Sequence, residues 1–81
     1  MKENKNREKF YMVYRHIQGE LDYFPKFFHK KENAEELLEF YLSDLRRFDS
    51  LFENDDHYSF EGITKNWKEC IITFDEVYYE D

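Results

Sequence analysis

Residues 33–53, NAEELLEFYLSDLRRFDSLFE, form the longest amphipathic stretch of the chain, and its reading decides the fold. Ala34, Leu37, Leu38, Tyr41, Leu45, Phe48 and Phe52 recur at steps of three and four, the spacing of one face of an α-helix. Asn33 stands where an N-cap is expected, with Glu36 three residues on, as in a capping box. The pattern predicts one helix from Ala34 to Glu53, about 30 Å long. Its polar face would carry Glu35, Glu39, Ser43, Arg46 and Ser50, and Asn54-Asp55-Asp56 would end it. Phe40, Leu42 and Leu51 widen the apolar stripe, so this helix should touch its own sheet and something else besides.

On the N-terminal side, Lys9–Ile17 (KFYMVYRHI) is rich in aromatic and β-branched residues and reads as a strand. Gln18-Gly19 supplies a turn, and Glu20–Phe28 would return as a second strand. Pro25 has no N–H to donate, which puts that strand at a sheet edge or ends it early. On the C-terminal side His57–Thr64 reads as a third strand, Lys65-Asn66 as a turn and Trp67–Tyr79 as a fourth strand. In the last strand Cys70, Ile72 and Phe74 share a face, and the slip to Val77 and Tyr79 suggests a bulge near Asp75-Glu76. Residues 1–8 lack hydrophobic periodicity and read as a flexible basic arm, leaving residues 9–81 as one domain. The expected fold is α+β with order β-β-α-β-β: an antiparallel sheet of about four strands, one long helix across one face, and many rings on the other.

Composition sets the bounds on function. Eighty-one residues leave no room for a large enzyme architecture, and seventeen aromatics (9 Phe, 7 Tyr, 1 Trp) with 2 Gly and 1 Pro argue against disorder. A domain this small buries only about 60–65% of its unfolded surface, so the rings must do much of the stabilising. The single Cys70 cannot close an internal disulfide, which fits a reducing cytoplasm. The start, MKENKNREKF, has no apolar stretch suited to a signal peptide, and no run approaches the length of a membrane span.

Lys plus Arg number 12 and Asp plus Glu 19, a net charge of −7. The distribution is uneven. Residues 1–31 hold eight basic and four acidic side chains, +4, and residues 32–81 hold four basic and fifteen acidic, −11. Cys70 with His16, His29 or His57 is the one candidate thiolate–imidazole pairing, but Cys70 falls on the expected core face, where a free cysteine behaves as a small hydrophobe. There is no Gly-x-Ser-x-Gly elbow and no glycine-rich phosphate loop. Glu53, Asp55, Asp56 and His57 form a dense oxygen and imidazole cluster but lack EF-hand spacing, and a solvated loop is the simpler reading. No catalytic residue, cofactor or metal is therefore expected.

Three binding readings remain. Arg15, Lys26, Lys30 and Lys31 interleaved with Tyr11, Tyr14, Phe24 and Phe28 have the composition of a single-strand stacking platform, which the net negative charge opposes. A self-associating adaptor would join the basic portion of one copy to the acidic portion of another and bury Phe40 and Leu51 at a two-fold axis. The third reading makes the acidic portion the functional surface, where the plainer alternative has its carboxylates simply keep a small aromatic-rich protein soluble. Asp49, Glu53, Asp55 and Asp56 would crowd the C-terminus of the expected helix, where the macrodipole is already negative, and Glu61, Glu69, Asp75, Glu76, Glu80 and Asp81 add carboxylates nearby. Carboxylates two residues apart on a strand stand about 6.6 Å apart, close to the phosphate spacing of one nucleic-acid strand. Asp49, Glu53, Asp55, Asp56, Asp75 and Glu76, with Trp67 and Tyr78 as aromatic anchors, are the expected partner-binding residues. In size, acidity and aromatic content the chain looks like the small inhibitors that bacteriophages and mobile elements direct against host nucleases, anti-CRISPR and anti-restriction proteins among them. That likeness implies a non-enzymatic protein that occludes the basic groove of a nucleic-acid-handling partner by partial nucleic-acid mimicry.

Overall fold

The computed structural model describes residues 8–21, 24–54 and 57–79. Strand β1 (Glu8–Ile17) is followed by β2 (Lys26–Phe28), helix α1 (Lys31–Ser43), and strands β3 (Leu45–Glu53), β4 (His57–Thr64) and β5 (Glu69–Tyr79). The strands form one antiparallel sheet in the order β2-β1-β5-β4-β3, with α1 on one face. The class is α+β as expected, with five strands where about four were predicted. The expected arm at residues 1–8 falls outside the described residues except for Glu8, which opens β1.

The extra strand comes from the second half of the stretch read as one helix. Helix α1 stops at Ser43 and β3 begins two residues later. Ser43 donates its hydroxyl to the Phe40 carbonyl at 2.8 Å, and the Asp44 backbone N–H reaches the Tyr41 carbonyl at 3.2 Å, so one serine side chain and one backbone amide close the last turn. Two irregularities in the β3–β4 register, between Leu45 and Arg47 and between Ser50 and Phe52, explain the mistaken helix. Each bulge inserts one residue, stretching the two-residue repeat of a strand to three. Leu45 and Phe48 thus share a face at a spacing of three, which imitates helical periodicity.

The start of the helix also differs from expectation. Lys30, with extended backbone (φ −104°, ψ 131°), is the N-cap, and it makes no side-chain capping bond. Asn33 lies in the first turn, its N–H bonded to the Lys30 carbonyl at 3.2 Å. Ala34, Leu38 and Tyr41 face the sheet, as the periodicity predicted.

Val13, Cys70, Ile72, Phe74 and Phe60 meet those helix residues to form the core, with Tyr11, Ile17, Phe28, Leu37, Leu42, Leu45 and Tyr58 packed around it. Tyr58 sits 5.2 Å from Phe74 and Tyr11 6.2 Å from it, between ring centroids. The bulge expected near Asp75-Glu76 is absent: β5 runs in unbroken register with β1 from Glu8↔Tyr79 to Ile17↔Cys70. Among the described residues of the expected second strand, Lys26–Phe28 pair with β1, at the sheet edge and directly after Pro25, in keeping with a residue that cannot join a ladder. Gly19, at φ 82°, supplies the left-handed turn after β1.

Candidate functional site

The face of the sheet opposite α1 is uncovered, and its side chains follow from strand parity. Because Val13, Ile72 and Phe60 point to the helix, the other face is set by the neighbouring register positions. One cross-strand row runs Asp49–Glu61–Ile71–His16, and the next runs Arg47–Ile63–Glu69. These residues line a cleft of about 670 Å³, closed at one end by Gln18 and Gly19. At the far end of the molecule Phe10, Phe27, Val77 and Tyr78 line a second, apolar recess of about 430 Å³. The helix-free face is therefore polar and acidic at one end and greasy at the other.

Asp49 is directly opposite Glu61, with Glu69 one row away. Like charges directly opposed across a strand pair are destabilising, so folding does not account for this arrangement. Among the described residues no group of three His, Cys, Asp or Glu side chains is arranged to hold a metal ion.

The eight expected partner-binding residues are dispersed. Asp49 lines the acidic cleft. Asp75 is on the same face but two rows beyond Ile71, about 13 Å along β5, and its carboxylate lies 3.2 Å from His57 Nδ1. Glu76 points to the opposite side, 2.9 Å from Lys9 Nζ; hydrogen bonding and attraction to this carboxylate hold the Lys9 ammonium above its ordinary range. Tyr78 donates its hydroxyl to Glu76 Oε2 at 3.4 Å. Glu53, paired with Tyr58, ends β3 on the helix side, and Trp67 occupies the β4–β5 turn. Asp55 and Asp56, like Glu80 and Asp81, fall outside the described residues.

Asp49 and Glu53 consequently do not crowd a helix end, since the helix finishes at Ser43. Nor does β5 carry a phosphate-spaced run, because Asp75 and Glu76 point to opposite faces and Glu69 is about 20 Å from Asp75. The acidic cluster forms across strands instead. His16, Arg47 and Ile71 were missed from the sequence, because only the cross-strand register brings them into one cleft with Asp49 and Glu61.

Trp67 is 70% exposed with φ 65°, in the left-handed region that bulky residues avoid. The turn is fastened by the Trp67 N–H to the Thr64 carbonyl (2.9 Å) and by Thr64 Oγ1, which accepts from the Asn66 and Lys68 amides. The Arg46 guanidinium lies 4.2 Å from the Trp67 ring centroid and donates to the Lys65 carbonyl.

Cys70 is 1% exposed in the core, where burial above all pushes its thiol pKa up, away from the reactive thiolate. His16 lies on the other face of the sheet. The basic aromatic hairpin is also divided. Tyr11 and Phe28 pack against the core and Arg15 stacks 4.2 Å from the Tyr41 ring, so these side chains and Tyr14 form no single platform. No helix among the described residues is long and apolar enough to cross a membrane. No protein family, curated protein or solved structure matches the chain.

Proposed function

We propose that the protein is a non-enzymatic binding module that seats a basic surface of a nucleic-acid-handling protein against its helix-free sheet face and blocks that surface. The observation that carries this reading is the directly opposed Asp49–Glu61 pair, with Glu69 beside it, in a cleft of about 670 Å³. Arginine and lysine side chains that otherwise hold phosphates would enter this cleft and relieve the repulsion between the carboxylates. Trp67, exposed and strained two residues before Glu69, supplies an aromatic anchor beside it; a strained, exposed ring serves recognition better than it serves folding. The overall charge of −7 favours encounter with a basic partner.

The test is capture from lysate on immobilised protein, comparing wild type with Asp49→Lys/Glu61→Lys. The expected result is a nucleic-acid-binding protein that wild type retains, that an oligonucleotide competes off, and that the double reversal loses while circular dichroism shows the fold intact. Retention by the double reversal, or indifference to the oligonucleotide, would remove the acidic cleft from the account.

A further inference from the structure

We propose that two copies of the chain pair β3 to β3, antiparallel about a two-fold axis at Phe48, and so join their sheets into one continuous sheet of ten strands. β3 is a nine-residue edge strand, exposed at every position after Leu45. The opposite edge, β2, has three residues and follows Pro25. An exposed edge with apolar side chains is a template for pairing, and Phe48, Leu51 and Phe52 are 44%, 53% and 50% exposed.

Charge complementarity identifies the occupant as a second copy. The chain as a whole repels itself at −7, yet β3 is neutral, with Arg46 and Arg47 balancing Asp49 and Glu53. Arg47 and Asp49 point to the same face, opposite Ile63 and Glu61 respectively. Among the described residues neither has an ion-pair partner. A two-fold axis at Phe48 places Arg47 of each copy opposite Asp49 of the other, twice, with the two Phe48 rings side by side on the helix-bearing face. There each ring already packs edge-on against Phe60 of its own copy at 5.8 Å. The contact is isologous and therefore closes at two copies. The two bulges flank Arg47–Ser50, and within that regular run Arg47–Asp49 is the segment centred on the axis.

Sedimentation equilibrium over a concentration series tests this. Wild type should give twice the 10.2 kDa chain mass. Arg47→Asp and Asp49→Arg should each weaken the dimer about tenfold or more, since each turns two attractive contacts into two repulsive ones. Mixed one to one, the two variants should dimerise again, because each then meets its complement; this recovery also shows that both still fold. Phe48→Cys should form a disulfide-linked dimer on mild oxidation, its two thiols meeting at the axis while Cys70 stays buried. A wild-type monomer at every concentration, a dimer indifferent to both reversals, or a mixture that fails to recover would overturn the proposal.

Discussion

A Cβ at Gly62 would stand 2.5 Å from the Arg47 carbonyl oxygen, 2.7 Å from Leu45 Cδ1 and 2.9 Å from Phe48 Cβ. The nearest of these atoms is backbone and cannot swing away. Glycine is required because β3, kinked by its first bulge, closes down onto β4 at this point. Gly62→Ala should therefore destabilise the domain by about 1–3 kcal/mol, the usual penalty of overpacking, and loosen the β3–β4 ladder. Urea denaturation measures the first, and faster amide exchange confined to residues 45–64 the second; an unchanged midpoint would mean that β3 lies further from β4 than described. Cys70, Ile72 and Phe74 fall on the core face as alternation indicated, because β5 is central and regular.

At the scale of elements, α1 is held by its apolar face while its N-terminus is poorly served. Lys30 occupies the N-cap with extended backbone but offers no acceptor to the first free N–H groups. Its positive charge also faces the positive end of the helix dipole. Lys30→Ser should stabilise the protein by about 1 kcal/mol, visible as a melting temperature higher by about 4 °C or more. An unchanged or lower midpoint would show that the serine hydroxyl does not reach the backbone. The first half of the 33–53 stretch was legible because Ala34, Leu38 and Tyr41 obey an uninterrupted helical repeat. The second half was not, because the evidence for a strand was its pairing with β4, and the bulges at Arg46 and Leu51 erased the alternation that would have announced it.

For the whole molecule, the unequal halves of the charge are woven together. The acidic portion supplies β5, at the centre of the sheet beside β1, while two of its four basic residues gather on the edge strand β3. Repulsion is concentrated where Asp49, Glu61 and Glu69 meet. Added salt should screen that repulsion more than it weakens exposed ion pairs such as Lys68–Glu20. Raising sodium chloride from about 20 to about 500 mM, which shortens the screening length severalfold, should lift the melting temperature by about 4 °C. A fall over that range would mean that ion pairs, not the opposed carboxylates, dominate the electrostatics.

By itself the sequence determined the class, the core-facing residues of α1 and β5, that β2 lies at a sheet edge or ends early, and the charge imbalance, because each rests on local periodicity, on proline's missing N–H or on counting. Tertiary structure decided that residues 45–53 form a strand, that Asp75 and Glu76 part to opposite faces, and that Asp49, Glu61 and Glu69 come together across three strands. Strand pairing is a contact between segments distant in sequence. Once bulges break the two-residue repeat, nothing local records which face a side chain takes or which carboxylate it will meet.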